Sequence, residues 1–102
     1  MTAPFIIDQV SWHLKAQGNP ETRAHIIARF WAVVDFLQRN GLTKQELASS
    51  AGEIADDFAI RSDDLTDRGL DLMRKVYDKW LTKVDEGQDP KDVTMFEKKL
   101  GR

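Results

Sequence analysis

The chain has 102 residues, of which 41% are hydrophobic and 31% charged, a balance typical of one globular domain rather than a disordered segment. The absence of cysteine excludes disulfides, thiolate zinc sites and cysteine nucleophiles, and it agrees with a cytoplasmic location. The net charge of -2 argues against general nucleic-acid binding. We also expect no signal peptide at residues 1–10 and no membrane span, because no apolar run is long enough.

The first predicted helix runs from about Pro4 to Gln17. Ile6, Val10 and Leu14 recur there at the four-residue spacing of a helix face.

The second predicted helix, from Pro20 to Asn40, is the most apolar part of the chain. Apolar side chains occupy almost every side of its middle, which indicates packing against several neighbours. Gly41 can adopt the left-handed conformation that ends a helix, and Leu42 can then fold back on Leu37. We therefore predict that this helix is the buried centre of the fold.

The remaining predicted elements are amphipathic. A capping box at residues 43–46 predicts a short third helix. Residues 53–66 are the least regular part, where a turn or a short helix is expected. Thr66 is positioned to cap a long helix that ends at Gly87, and a final short helix follows Asp89. The predicted fold is an all-α, single-domain bundle of four or five helices over residues 1–102, around a central buried helix at about residues 20–40.

Acidic residues are concentrated between Glu46 and Asp71, where only Arg61 and Arg68 oppose eight carboxylates. A concentrated negative surface attracts basic partners and accelerates their encounter. We therefore predict that the following residues bind a protein partner with a basic surface: Asp56, Asp57, Asp63, Asp64 and Asp67. The alternative is a solvated loop with helix N-termini, where aspartate is favoured for local reasons. The spacing does not match a calcium-binding loop, and no metal site is expected.

No residue pattern indicates catalysis. His13 and His25 lie on different predicted helices without a ligand cluster, and there is no glycine-rich phosphate loop. We therefore predict a protein that is not an enzyme and that has no catalytic residues and no cofactor. Trp12, Trp31 and Phe36 cannot all face one core, so either one or more of them is exposed as an interface anchor or neighbouring helices bury them all.

Residues 41–52 resemble the scaffold helix and turn of lambda-repressor-like helix-turn-helix proteins. The matching positions are Thr43, Glu46, Leu47, Ala48, Ala51 and Gly52. The resemblance implies a DNA-binding regulator. However, the following segment would bring Glu53, Asp56 and Asp57 toward phosphates, and it offers only Arg61 as a donor for base edges or phosphate oxygens.

The size, the helical build and the acidic polarity of the region from Phe58 to Leu81 are similar to small all-helical bacterial immunity-type proteins. This resemblance implies a protein that neutralises a toxin by binding it. Colicin-nuclease immunity proteins carry a paired-tyrosine signature, whereas Tyr77 is the one tyrosine here, so no residue roles are carried over. We predict a non-enzymatic protein-binding module with an acidic surface; the alternatives are a helix-turn-helix regulator and a homo-oligomeric structural subunit such as a homodimer.

Overall fold

The structure is a computed structural model that describes residues 4–14 and 20–101. Its elements are β1 (Ile6–Gln9), α1 (Val10–Leu14), α2 (Pro20–Arg39), β2 (Ala59–Arg61), α3 (Asp67–Asp85) and α4 (Thr94–Leu100). Two short 3₁₀ turns, at Ala51–Glu53 and Ser62–Asp64, precede and follow β2.

The predicted all-α bundle is wrong, because β1 and β2 form a two-stranded antiparallel sheet. The paired residues are Ile6 with Arg61, Asp8 with Ile60 and Gln9 with Ala59, with an irregularity in register between Ile6 and Asp8. The backbone N–H of Val10 also donates to the Phe58 carbonyl at 2.9 Å, which extends the pairing into the first residue of α1. The fold is therefore mixed α/β, with most residues in helices.

The sheet replaces the first half of the first predicted helix. Residues 6–9 are extended, and the side chains of Asp8 and Val10 are buried while those of Ile7 and Gln9 are only partly so, the period-two pattern of a strand. The apolar positions 6, 10 and 14 fit a helix equally well, so the sequence pattern alone favoured the wrong element. The last residues of that predicted helix, from 15 to 17, lie outside the described part of the chain.

The boundaries predicted for α2 are confirmed to within one residue. At its C-terminus Gly41 has a φ of 68°, and the backbone N–H of Leu42 donates to the Leu37 carbonyl at 2.9 Å. The N–H of Gly41 donates to the carbonyl of Gln38, which completes the expected left-handed helix ending. The prediction that α2 is the centre of a bundle is wrong: one side of its N-terminal half is exposed, including His25 and Ala28.

The predicted third helix is absent, since residues 43–50 are irregular. Thr43 forms an isolated antiparallel bridge with Leu65, and the N–H of Lys44 donates to the Asp64 carbonyl at 2.9 Å. The helix that the capping box predicts does not form, because residues 43 and 44 pair in a strand-like manner with a segment about twenty residues later in the chain. The scaffold helix of a helix-turn-helix motif is likewise missing from this segment.

The side chain of Gln38 on α2 fixes the irregular segment. Its amide nitrogen donates to the Ala48 carbonyl at 2.8 Å, and its oxygen accepts the N–H groups of Leu47 and Ala48. One glutamine thus satisfies backbone groups that a helix would have paired internally.

The start of α3 packs against the end of α2 without space for a side chain. The predicted cap is confirmed, because Thr66 Oγ1 accepts the N–H of Gly69 at 3.1 Å. The carbonyl of Leu42 accepts the N–H of Thr66 at 2.9 Å, and a Cβ added to Gly69 would stand 2.4 Å from that same oxygen. Gly69 is therefore required by close approach of two backbone segments.

Large aromatic side chains join α2, α3 and α4 in one core. Trp80 and Phe96 are fully buried with ring centres 5.3 Å apart, and Phe96 lies 5.5 Å from Phe36. Trp80 Nε1 donates to the Asp92 carbonyl at 2.9 Å, so its polar atom is satisfied.

Within the described residues, none of the helices has the length and apolarity needed to cross a bilayer.

Candidate functional site

The five predicted partner-binding aspartates lie in two groups. Asp56 and Asp57 precede β2, whereas Asp63, Asp64 and Asp67 follow it. All are exposed except Asp64, which is half-buried. A strand advances about 3.3 Å per residue, so the six residue steps from Asp57 to Asp63 separate the two groups by at most about 20 Å. The acidic segment thus presents two separate negative spots.

Besides Asp71, which pairs with Lys75, two carboxylates of the acidic segment near β2 already have partners within the chain. Arg23 on α2 donates from Nε and Nη2 to Asp56 Oδ1, at 2.9 and 2.5 Å. The carboxylate of Glu53 accepts the hydroxyl and the N–H of Ser49, and the hydrogen bond from the hydroxyl is the largest cause of the lowered pKa of Glu53. Asp56 and Glu53 are therefore less available to an external cation than their exposure suggests.

The second group also has contacts within the chain. Asp64 Oδ2 accepts the backbone N–H of Arg61 at 3.0 Å, so this carboxylate closes the 3₁₀ turn. Asp63 shares a shallow groove of about 260 Å³ with Lys44 and Arg74. Asp64 is consequently a structural residue as well as a charged one.

Three of the five aspartates are exposed and have no ion pair in the described part of the chain. Within residues 4–14 and 20–101, Asp57, Asp63 and Asp67 form no ion pair. All three are exposed, so their carboxylates are open to a partner.

Trp12 is the exposed tryptophan, with 48% of its surface open to solvent. Phe36 is buried and Trp31 is half-buried, which resolves the three aromatic positions that the sequence left open. Tryptophan is enriched at the centres of binding surfaces, so Trp12 is a candidate anchor for a partner.

The start of α1, which carries Trp12, follows residues that contact the segment of the first acidic group. Just before α1, the Gln9 side chain reaches the Asp57 carbonyl at 3.5 Å, and the N–H of Val10 donates to Phe58. Trp12 follows Val10 by two residues, or about 3 Å along the helix axis. The backbone therefore brings the segment that carries the exposed tryptophan close to the segment that carries Asp57.

A buried polar cluster, which sequence reasoning missed, joins β1, α1 and α3. The carboxylate of Asp8 accepts the Tyr77 hydroxyl at 2.5 Å, and His13 Nε2 lies 2.8 and 3.0 Å from its two oxygens. Burial raises the pKa of Tyr77 well above its ordinary value, and the negative charge of Asp8 acts in the same direction. The sequence could have indicated this cluster only through a strand prediction for residues 6–9, because a strand there places the Asp8 side chain on the buried face.

A groove of about 580 Å³ lies beside this cluster, between the N-terminal half of α2 and the end of α3. The side chains that line it are His13, Glu21, Thr22, His25, Ile26, Arg29, Val84 and Asp85. The floor includes Arg29, which is buried and whose Nη1 lies 3.4 Å from Asp85 Oδ1. Arg29 Nε and Nη2 are buried and have no hydrogen-bond partner among the described residues. In the sequence, Arg29 is one of the few polar residues in the apolar middle of α2, and nothing about its neighbours indicates a ligand site.

Both histidines line this groove, although the sequence offered no reason to place them together. His13 is held by Asp8, whereas His25 is exposed on α2. Among the described residues, no group of three histidine, aspartate or glutamate side chains is arranged to hold a metal ion. What distinguishes the groove chemically is the buried guanidinium.

No protein-family model matches the chain, and searches of curated proteins and of solved structures find no significant match. The functional argument therefore depends on the residues of this chain alone.

Proposed function

We propose that the protein is a non-enzymatic module that binds a basic protein partner through its acidic surface. The single observation that supports this proposal most is the set of exposed carboxylates at Asp57, Asp63 and Asp67, which have no ion pair in the described residues. Charges left free on the surface are those that steer a partner and determine its orientation.

The dimensions support one interface over both acidic spots. A standard interface buries about 800 Å² on each partner, a patch about 30 Å across, whereas the chain from Asp57 to Asp63 separates the two spots by at most about 20 Å. Trp12 supplies the apolar contact that charged residues at a rim do not provide. The resemblance to immunity-type proteins suggests a basic toxin as the partner class, and the cysteine-free composition fits action in the cytoplasm.

The test is affinity capture from an extract of the native host, with the full chain immobilised at low salt and eluted by increasing salt. We expect one basic protein to be retained and to elute well below 1 M salt, where the Debye length falls to about 3 Å. A variant in which three aspartates are replaced by uncharged asparagines should no longer retain the basic protein: Asp57→Asn, Asp63→Asn and Asp67→Asn. The control has the same charge change elsewhere on the exposed surface: Asp78→Asn, Asp89→Asn and Glu97→Gln.

A gain-of-binding variant makes the test sharper. Arg23→Gln removes the cation that occupies Asp56, so it should increase retention of the basic partner and raise the salt needed for elution. Equal loss in the triple variant and its control, or retention of a protein that is not basic, would refute the proposal. An intact homodimer with no retained protein would favour self-association instead.

A further inference from the structure

The groove at Arg29 contains a charged group whose hydrogen-bonding capacity is mostly unused. Arg29 is 4% exposed, and two of its three guanidinium nitrogens have no partner among the described residues. Buried donors without acceptors are costly, and a buried guanidinium is ordinarily matched by a carboxylate or phosphate that contacts two of its nitrogens. The internal partner, Asp85, reaches only Nη1, at 3.4 Å.

Asp85 is a weak and displaceable partner. Its side chain is 68% exposed, and it occupies the last residue of α3, so little packing holds it in place. Ion pairs with an exposed member contribute little to stability because solvent screens them. A free oxyanion is not tethered to the backbone, and it can therefore approach the guanidinium in a geometry that Asp85 cannot adopt.

We propose that this groove binds a small oxyanion, a carboxylate or a phosphate group, against Arg29 in place of the Asp85 carboxylate. The groove volume of about 580 Å³ exceeds that of the anion alone, so it can hold a small molecule that carries such a group. His25 on the wall offers a further donor, while Glu21 and Asp85 oppose anions that carry more charge. This site is separate in chemistry from the acidic surface, because it accepts an anion rather than a cation.

The experiment is an NMR titration of the full chain with inorganic phosphate and, separately, with acetate, each compared with chloride at the same ionic strength. We expect saturable shifts of the Arg29 Nε–H signal and of backbone amides near residues 21–29 and 85, with either probe but not with chloride. The probe with the lower Kd identifies the group, tetrahedral phosphate or planar carboxylate. Absence of a saturable shift with both probes, or an equal response to chloride, would overturn the proposal.

Two variants test the mechanism without depending on a mutation in the core. Asp85→Asn removes the competing carboxylate and should lower the Kd by about two- to fivefold, the range that corresponds to a weak, solvent-exposed ion pair. The matched control is Asp35→Asn, which removes the carboxylate that pairs with exposed Arg39 on the same helix, and it should leave the Kd unchanged. If Asp85→Asn weakens binding, or if both variants alter it equally, Arg29 is not the binding group. Arg29→Lys, where it folds, should abolish the saturable shift.

Discussion

The contact between Gly69 and Leu42 gives the most direct test of the fold. In Gly69→Ala the new Cβ would stand 2.4 Å from the Leu42 carbonyl oxygen and 3.1 Å from the Leu42 Cβ, so the backbones of two segments must separate. Overpacking of this kind costs about 1–3 kcal/mol. The displaced carbonyl also accepts the N–H and the hydroxyl of Thr66, and weakening these bonds adds about 1 kcal/mol. Alanine regains up to about 1 kcal/mol through its higher helix propensity.

The expected net loss is therefore about 2 kcal/mol in the free energy of unfolding, or about 10 °C in Tm for a domain of this size. Urea denaturation followed by circular dichroism measures it as a lower midpoint with an unchanged m-value. Gly52→Ala is the matched control, because its Cβ would meet only the Ser50 hydroxyl at 3.7 Å, and it should be nearly neutral. A Gly69→Ala protein as stable as the wild type would show that α3 does not approach Leu42 this closely.

Three further predictions concern particular side chains. Gln38→Ala should destabilise the fold by about 1–3 kcal/mol and increase hydrogen exchange at the Ala48 amide, because the side chain bonds residues 47 and 48. The pKa of Tyr77 is raised in the folded protein, so its hydroxyl ionises first in the unfolded chain and the free energy of unfolding should fall as the pH rises above about 10. Tyrosinate absorbance measures this ionisation directly because the chain has one tyrosine, and Tyr77→Phe should weaken the pH dependence of stability. Trp12→Ala should change stability by less than about 1 kcal/mol, since Trp12 is half-exposed, while reducing partner capture.

The parts of the fold that were predicted correctly are those whose signals are local. Gly41 and Leu42 end α2 through bonds that span six residues, and Thr66 caps α3 through a bond that spans four. Such interactions involve residues that are close in the sequence, so they can be predicted from the sequence alone.

The parts that were wrong depend on partners far along the chain. β1 exists because β2 pairs with it across more than fifty residues, and the helical spacing of positions 6, 10 and 14 gives no sign of this. The capping box at Thr43 is a sound local pattern, but Thr43 pairs with Leu65 instead. Tertiary pairing of strand-forming residues overrides local propensity in both cases. The same limit hid the site at Arg29, because its partners come from three separate elements.

The first turns of α2 connect the two proposed sites. Arg23 holds Asp56 next to the acidic surface, whereas Arg29, six residues later, faces Asp85 in the groove. Each arginine has one exposed carboxylate as its partner, but Arg23 is itself half-exposed and makes two short bonds, while Arg29 is buried and makes one long contact. The well-bonded pair of Arg23 and Asp56 neutralises a charge on the surface. The buried guanidinium of Arg29 has few hydrogen bonds, so it can still donate hydrogen bonds to a ligand. The two functions therefore separate by mutation: Arg23→Gln should change partner binding but not the phosphate titration, and Asp85→Asn should do the reverse.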